Sequence, residues 1–402
     1  MKKSLVLMAM AGVALAGCVN DVADVAQKEQ MKAIIGFDKP VLYNNAESRA
    51  NFYGEISEVT SDRHSYPTNE QFVIYAVSHE DDLAGWANAT PAPFNGNSIS
   101  FVDDVDGWAP KQANGKYYYW ETGKKMSFAA SSPADLEHDA VRTYGPAGLK
   151  IENFIVNGDA GKQYDLLFST RNSNQTAANM NHSANYYSGI PIEFQHALSS
   201  IRFSIANSSS EDVVLTGIQL AGVKYKGEFN EGIVEDSNPQ DEITDYGRSG
   251  IYTKGVNVHP AWTVEDDIIT SPYLAFNGSV KFRESPRYVS ELVKEAKEGD
   301  VATYCHQLLL MPQVLTDDAV VVVNYTVNGV PAEPKTVQLK GLKSSKLENG
   351  ENVETGTINE WIIGNRYTYR LYYSDATADK DKIYFAPSTE AWKDVDVIIV
   401  NL

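Results

Sequence analysis

The chain has 402 residues, with 34 Lys and Arg against 53 Asp and Glu, so its formal net charge is −19. Hydrophobic residues make up 43% and charged residues 22%, a composition that excludes a wholly disordered chain. The acid excess argues against nucleic acid as a partner, because binding phosphates requires clustered Lys and Arg. The length predicts about two domains. Abundant Tyr, Val and Ile favour an all-β fold.

The first residues are typical of an export signal. Two lysines precede Leu5–Leu15, an apolar run of 11 residues that is too short to span a bilayer as a helix. The run ends in Leu15–Cys18, which resembles a bacterial lipobox. The resemblance implies a signal peptide over 1–17, cleavage before Cys18 and acylation of Cys18 with palmitate-type chains that anchor the protein on the outer membrane. An ordinary signal peptide that happens to end near a cysteine is the alternative.

The residues after the lipobox are small and polar. We interpret 18–31 as a tether between the lipid and the folded part. With Cys18 acylated, Cys305 is the single remaining thiol, so no disulfide within the chain is expected. A buried structural thiol is the favoured interpretation of Cys305. A Cys–His nucleophile with His306 is the alternative, although it has no evident third partner.

Short strand patterns recur along the rest of the chain, separated by Gly, Asn, Asp and Pro, as in a β-sandwich. Residues 71–78 are apolar on both faces and are expected in the middle of a sheet. Residues 201–205 alternate as a half-buried strand, and 213–220 is expected to pair with it. The other predicted elements are strands at 33–37, 98–102, 116–120, 125–130, 149–156, 165–170, 307–311, 319–327, 336–339, 366–373, 382–385 and 394–402, and a short helix within 290–299.

No catalytic motif emerges. The seven His residues form no H-E-x-x-H or Cys-containing zinc pattern, and no G-x-S-x-G turn or phosphate-binding Gly loop occurs. Asp103–Gly107 lacks the first and closing ligands of a calcium loop and is interpreted as a solvated acidic turn. We therefore predict a protein that is not an enzyme, with no catalytic residues, no metal and no cofactor. The run Tyr117–Trp120 could stack on sugars, but a core strand is the favoured interpretation.

Five segments along the chain carry a family resemblance. Phe194–Phe203 reads Phe-Gln-His-Ala-Leu-Ser-Ser-Ile-Arg-Phe and is similar to an F-x-H-A-L-[SA]-x-I-x-F segment found in the Bacteroidetes fimbrillin-like (type V pilus subunit) family. The other segments that resemble this family are Tyr117–Pro133, Leu215–Phe229, Trp361–Tyr369 and Ile383–Pro387. The similarity spans most of the mature chain.

The resemblance implies two transthyretin-like (Greek-key) β-sandwich domains in tandem. The N-terminal sandwich is expected over 32–188, with a first strand at about 33–37 that cleavage can remove. The C-terminal sandwich is expected over 189–402, with a donor-strand tail at about 394–402.

In this family an arginine-specific surface protease cuts after the first strand, and the resemblance places the cut between Arg49 and Ala50. Arg63 is a competing site. The strand then leaves, and a strand from the next subunit fills the groove. The donor-strand residues on this chain would be Val395, Val397, Ile399, Val400 and Leu402. From the residues alone, 394–402 is equally well explained as the last strand of its own domain.

The expected function is that of a structural subunit of a cell-surface fimbrium for adhesion, exported as an outer membrane lipoprotein and polymerised by protease-triggered donor-strand exchange. The expected partners are other pilus subunits in a homo- or hetero-polymer, the arginine-specific protease, and the outer membrane through Cys18. The alternative is a monomeric surface lipoprotein that binds a glycan or host ligand through exposed aromatic residues.

Overall fold

The computed structural model describes residues 34–37, 40–43, 59–60, 63–66, 68–80, 89–102, 107–121, 123–169, 172–177, 189–190, 192–235, 256–258, 260–295, 304–348, 351–374 and 383–391. The strands up to residue 196 are β1 Val41–Tyr43, β2 Val59–Thr60, β3 Arg63–Ser65, β4 Phe72–His79, β5 Thr90–Pro91, β6 Asn97–Ile99, β7 Phe101–Val102, β8 Gly107–Trp108, β9 Lys125–Ser132, β10 Val141–Gly145, β11 Gly148–Ile155, β12 Leu167–Ser169, β13 Asn172–Gln175 and β14 Glu193–His196.

The later strands are β15 Ser199–Asn207, β16 Val213–Ala221, β17 Lys226–Asn230, β18 Ile233–Glu235, β19 Val256–Val258, β20 Ala261–Val264, β21 Tyr273–Lys281, β22 Arg287–Tyr288, β23 Tyr304–Cys305, β24 Leu308–Leu310, β25 Gln313–Val314, β26 Val320–Val327, β27 Val330–Pro331, β28 Lys335–Gln338, β29 Leu342–Glu348, β30 Glu351–Ile358, β31 Glu360–Trp361, β32 Asn365–Tyr373 and β33 Ile383–Ala391.

Helical structure is sparse in the described ranges. A 3-10 turn covers Ala160–Lys162, and the helix α1 covers Val289–Glu295, within the predicted 290–299. Among the residues that the structure describes, no helix has the length and apolar character needed to cross a membrane. The predicted all-β fold is confirmed.

The N-terminal sheet runs in the order β2-β3-β1-β14-β12-β9-β4-β5, with β6 also pairing with β4 and β13 with β9. Its central strands β4 and β9 are antiparallel and almost wholly buried. The apolar character of both faces of β4 follows from this burial, because side chains alternate between two covered faces. The prediction that 71–78 lies inside a sheet is confirmed.

A four-stranded sheet joins the two halves of the chain. Its order is β10-β11-β17-β20, so two of its strands precede the expected boundary at residue 188 and two follow it. The remaining large sheets lie later in the chain, in the orders β22-β15-β32-β33, with β24 beside β15, and β23-β21-β16-β26-β27, with β28 beside β26. The expected division at 188 thus crosses a hydrogen-bonded sheet, and the tandem arrangement stays a prediction.

The pairing expected between 201–205 and 213–220 is wrong. β15 pairs in parallel with β32, while β16 pairs with β21 and β26 in a different sheet. Ile201 and Leu215 both belong to the same buried cluster, so the short connection crosses between two sheets instead of closing a hairpin. Alternation predicts that a strand exists but does not determine its neighbour.

Two hydrophobic cores form. The larger one mixes residues from both halves, such as Tyr75 and Leu149 with Leu215 and Tyr369. The second, which we call the N-terminal core, is rich in aromatic rings. Its buried members are Ile35, Phe37, Tyr66, Phe72, Ile74, Ala76, Ala92, Phe94, Ile99, Trp108, Trp120, Met126, Phe128, Ala130, Leu167, Ile190, Ile192 and Phe194.

The backbone of Gly222, directly after β16, lies very close to the backbone of Asp318. Gly222 has φ +71°, and a Cβ there would lie 1.8 Å from the carbonyl oxygen of Asp318. We expect Gly222→Ala to lower the free energy of unfolding by more than about 3 kcal/mol, because the backbone itself must move. Gly329 has φ +77° with no atom within 4 Å, so Gly329→Ala should cost only about 1 kcal/mol of conformational strain. Urea unfolding of both variants measures the difference; equal losses would contradict this account.

Candidate functional site

The residues predicted to carry the function fall mostly outside the described ranges. Cys18, Arg49, Ala50 and the tail 394–402 all lie there. Arg63 is the first residue of β3, whose backbone pairs with β1 and β2. The part of the predicted machinery that the structure does describe is the segment upstream of Arg49.

We call residues 34–37 and 40–43 the upstream segment. Its first part was predicted as a strand over 33–37, and the structure has isolated bridges there instead of a continuous ladder. The amide of Ile35 donates to the carbonyl oxygen of Tyr118 at 2.9 Å. Phe37 exchanges two bonds with Trp108, its amide donating at 2.6 Å and its carbonyl oxygen accepting at 3.2 Å. The backbone of this part is therefore held on one side by two short neighbouring segments.

The second part of the upstream segment is β1, which lies inside the N-terminal sheet. It pairs in parallel with β14 and antiparallel with β3. The amide of Ile190, just before β14, also donates to the carbonyl oxygen of Gly36 at 2.8 Å. Because β1 has a hydrogen-bonded neighbour on each side, its loss would leave two strand edges without partners.

The side chains of the upstream segment complete the N-terminal core. Ile35 is 2% exposed and Phe37 is 1% exposed. The ring of Phe37 stands edge-on to Phe72, with centroids 6.3 Å apart, and to Phe128, at 5.6 Å. Edge-on contacts of this kind place the positive rim of one ring against the negative face of another. The upstream segment therefore fills the core with side chains as well as extending the sheet.

Tyr66 forms the wall of the core beyond β3. Its ring lies 5.7 Å from Phe72 and 5.4 Å from Phe194 between centroids. Its hydroxyl donates to the carbonyl oxygen of Gln71 at 2.7 Å and lies 2.9 Å from Oγ of Ser132. Burial raises the pKa of Tyr66 above its usual range, so the phenol remains protonated and keeps its donor.

Arg142, in the four-stranded sheet, holds the end of β9 against that wall. Its guanidinium donates to the carbonyl oxygen of Pro133 and, at 2.8 Å, to that of Ala134. It also donates to Oγ of Ser131 at 3.1 Å. Ser132, which contacts Tyr66, lies inside this clamped stretch. The walls are therefore braced by residues downstream of Arg49.

The groove that the upstream segment occupies can now be defined. It lies between β3 and β14 and runs along Trp108 and Tyr118, and we call it the acceptor groove. All of its walls come from residues after Arg49, whereas its present occupant comes from residues before Arg49. The sequence pattern predicted an apolar first strand but could not show that its partners lie far along the chain.

The aromatic run Tyr117–Trp120 forms no continuous strand, since only Tyr117 and Tyr119 make isolated bridges. Trp120 is buried in the N-terminal core, 5.8 Å from the ring of Phe128, as the core interpretation predicts. Tyr119, by contrast, is 42% exposed. Tyr117 and Tyr118 are half-buried, so the exposure of the run falls mainly on the ring of Tyr119.

Cys305 and His306 do not form an activated pair. Burial raises the pKa of the Cys305 thiol to about 12, and burial lowers the pKa of His306, with Asp159 partly opposing it. Both shifts disfavour a thiolate beside an imidazolium. Nδ1 of His196 lies 2.6 Å from Oδ2 of buried Asp165, so His196 has a structural partner. In the described ranges no three His, Cys, Asp or Glu residues cluster as metal ligands.

The comparison with known families decides the assignment. Residues 60–392 match the family model described as fimbrillin-like. The chain belongs to the fimbrillin-like family. The resemblance predicted from the sequence is thus confirmed, and it supports a structural, pilus-type subunit at the cell surface.

Two solved structures illustrate what this fimbrillin-like chain is similar to. A fimbrial protein from Bacteroides vulgatus has a TM-score of 0.50 at 15% identity, covering 90% of this chain and 99% of its own. The tip fimbrial protein Mfa3 from Porphyromonas gingivalis, with a C-terminal truncation, has a TM-score of 0.31 at 10% identity. The match covers 80% of this chain and 94% of the Mfa3 chain. At these identities the first likeness shows the fold alone, and the second carries no argument. No curated protein matches the chain.

Removing the Phe37 ring tests the contribution of the upstream segment to the core. We expect Phe37→Ala to lower the free energy of unfolding by about 3–5 kcal/mol, because it leaves a cavity between Phe72 and Phe128. Tyr119→Ala removes a ring of similar size from an exposed position and should cost less than about 1 kcal/mol. Urea denaturation followed by tryptophan fluorescence measures both. A small loss for Phe37→Ala would show that the segment does not support the core.

The pKa of Cys305 predicts a slow reaction with iodoacetamide. Raising the pKa from 9.0 to about 12 lowers the thiolate population at pH 8 by roughly a thousandfold. A Cys18→Ser variant of the full chain leaves Cys305 as the single thiol. We expect its alkylation at pH 8 to be slow when folded and to become fast in urea, as measured by mass spectrometry. Rapid alkylation of the folded chain would restore the nucleophile interpretation.

Proposed function

We propose that this chain is a fimbrial subunit that polymerises by donor-strand exchange at the acceptor groove. A protease cuts after Arg49, the upstream segment leaves, and an extended segment of another subunit replaces it. A strand added in this way supplies backbone hydrogen bonds and apolar side chains together. The replacement restores the same two kinds of contact that the upstream segment makes now.

The observation that carries the proposal is the burial of Ile35 and Phe37 in a core whose other members all follow Arg49. Cutting the chain at an exposed loop leaves such a segment held only by noncovalent contacts. Once it leaves, an apolar groove and the edges of β3 and β14 remain open. Open edges of this kind pair readily with another strand.

The choice of cut site rests on backbone pairing. Arg63 lies in β3, paired on both sides, and a paired strand is a poor protease substrate because the chain must first open. Arg49 lies among Asn, Glu, Ser and Ala, a composition typical of an exposed loop. The family match at 60–392 also begins after Arg49 and ends before the tail. These points favour Arg49–Ala50 as the processing site.

The donor strand in the proposal is the tail 394–402. The tail follows β33, which is the edge strand of its sheet among the described strands. Val395, Val397 and Ile399 occupy every second position, and the apolar residues Val400 and Leu402 follow them. Nine extended residues reach about 30 Å, which is similar to the reach of the ten residues 34–43. The tail therefore has the length and the apolar pattern needed to replace the upstream segment.

Export completes the proposed pathway. The signal peptide 1–17 is removed, Cys18 is acylated with palmitate-type chains, and the tether 18–31 links the outer membrane lipid to the folded subunit. The cut after Arg49 lies beyond the tether, so it also releases the subunit from its lipid. Anchoring and polymerisation are thereby coupled to one proteolytic event.

Polymerisation in vitro tests the proposal. The full chain, treated with an arginine-specific protease and incubated at high concentration, should form ladders on SDS gels without boiling. Deleting 394–402 should abolish the ladders, because no donor strand remains. Arg49→Gln should also abolish them, because the upstream segment then stays attached.

Arg63→Gln is the matched control, since it removes the competing site and should leave ladder formation unchanged. Ladders that persist in the tail deletion would rule out 394–402 as the donor. Mature protein that begins at a residue other than Ala50 would rule out the Arg49 cut.

A further inference from the structure

The position of Phe37 in the acceptor groove is the most constrained point of the upstream segment. Its backbone exchanges both hydrogen bonds with Trp108, and its ring is 1% exposed. Interplanar angles of 84° with Phe72 and 81° with Phe128 put two aromatic neighbours at nearly right angles to it. A site that fixes both the main chain and the ring selects the side chain it holds.

The walls around this ring are themselves braced by other rings. Phe72 lies 5.7 Å from Tyr66 between centroids, and Phe128 lies 5.8 Å from Trp120. These four residues all follow Arg49 in the sequence, so they remain in the subunit after the upstream segment leaves. Because close-packed walls relax only partially, the space of the Phe37 ring persists as a pocket of aromatic shape.

The tail of this chain has no side chain of that shape. Residues 394–402 offer Val, Ile and Leu beside Asp and Asn, and no aromatic residue. An aliphatic side chain in the pocket loses the two edge-on ring contacts and leaves part of the volume empty.

We propose that the acceptor groove selects a donor strand from a different subunit, one that places an aromatic side chain where Phe37 now lies. The inference rests on the proposed function, because the groove opens only when the upstream segment leaves. A copy of this chain's own tail fits the groove along the backbone but fills the pocket poorly. The subunit therefore accepts a heterologous strand in preference to a copy of itself.

The expected discrimination follows from the two ring contacts. The two aromatic contacts beyond area burial make an aromatic anchor bind at least about fivefold more tightly than an aliphatic one. Removing the anchor altogether, as in Phe37→Ala, should weaken binding by more than about a hundredfold.

Peptide exchange into the cleaved full chain tests this selection. The chain is cut with the arginine-specific protease and mixed with fluorescent peptides, and their uptake is measured by anisotropy and gel filtration. The peptides are 33–43, the same peptide with Phe37→Ala, and the tail 394–402. Two variants of the tail carry Val397→Phe or, on the opposite face, Ile398→Phe.

We expect peptide 33–43 to bind best. Its Phe37→Ala variant should bind more than about a hundredfold more weakly, and the unchanged tail at least about fivefold more weakly than 33–43. If the face of the tail that carries Val397 enters the groove, Val397→Phe should raise the affinity of the tail and Ile398→Phe should not. If the opposite face enters, Ile398→Phe should raise the affinity and Val397→Phe should not. Either result supports the aromatic anchor.

The outcomes separate the two proposals. If none of the peptides enters the cleaved chain, the groove accepts no strand and the proposed function fails. If 33–43, its Phe37→Ala variant and the tail all bind equally, strand exchange stands but the aromatic selection is overturned. A longer tail peptide, 392–402, adds Trp392. Tight binding that depends on Trp392 would also overturn the proposal, because the chain would then carry its own aromatic anchor.

Discussion

The packing of Phe37 between Phe72 and Phe128 ties the upstream segment to the N-terminal core. The upstream segment contributes two buried side chains and a sheet strand with neighbours on both sides. Ile35 and Phe37 precede Arg49, whereas every other buried member of this core follows Arg49. The packing of the N-terminal core therefore depends on a short segment that comes before the rest of it in the sequence.

The rest of the structure keeps the groove in shape. Arg142 reaches from the four-stranded sheet to clamp the end of β9, and Ser132 in that stretch contacts Tyr66. The same sheet pairs β11 with β17, so it links strands from both halves of the chain. The walls of the acceptor groove are therefore connected to the larger core through hydrogen bonds that do not involve the upstream segment.

Much of the architecture could be predicted from local patterns. The strand at 71–78 follows from an apolar run between turn residues, and the all-β class and the short helix follow from the local patterns along the chain. The family followed from ordered segments such as Phe194–Phe203, and the match over 60–392 confirms it. The hairpin expected between 201–205 and 213–220 was wrong, because β15 finds its partner in β32, far along the chain. Proximity in sequence favours hairpins, whereas sandwich cores often require the next strand to cross to the opposite sheet.

The β-strand content, the apolar segment before Arg49 and the resemblance to fimbrillins could be read from residue types and short-range periodicity alone. The folded chain was needed to show that the upstream segment lies inside the N-terminal sheet and that Phe37 packs among aromatic rings. The packing also leaves Cys305 half-buried, and this burial raises the pKa of its thiol. The physical reason is that strand partners and burial depend on contacts between distant residues, which no local pattern encodes.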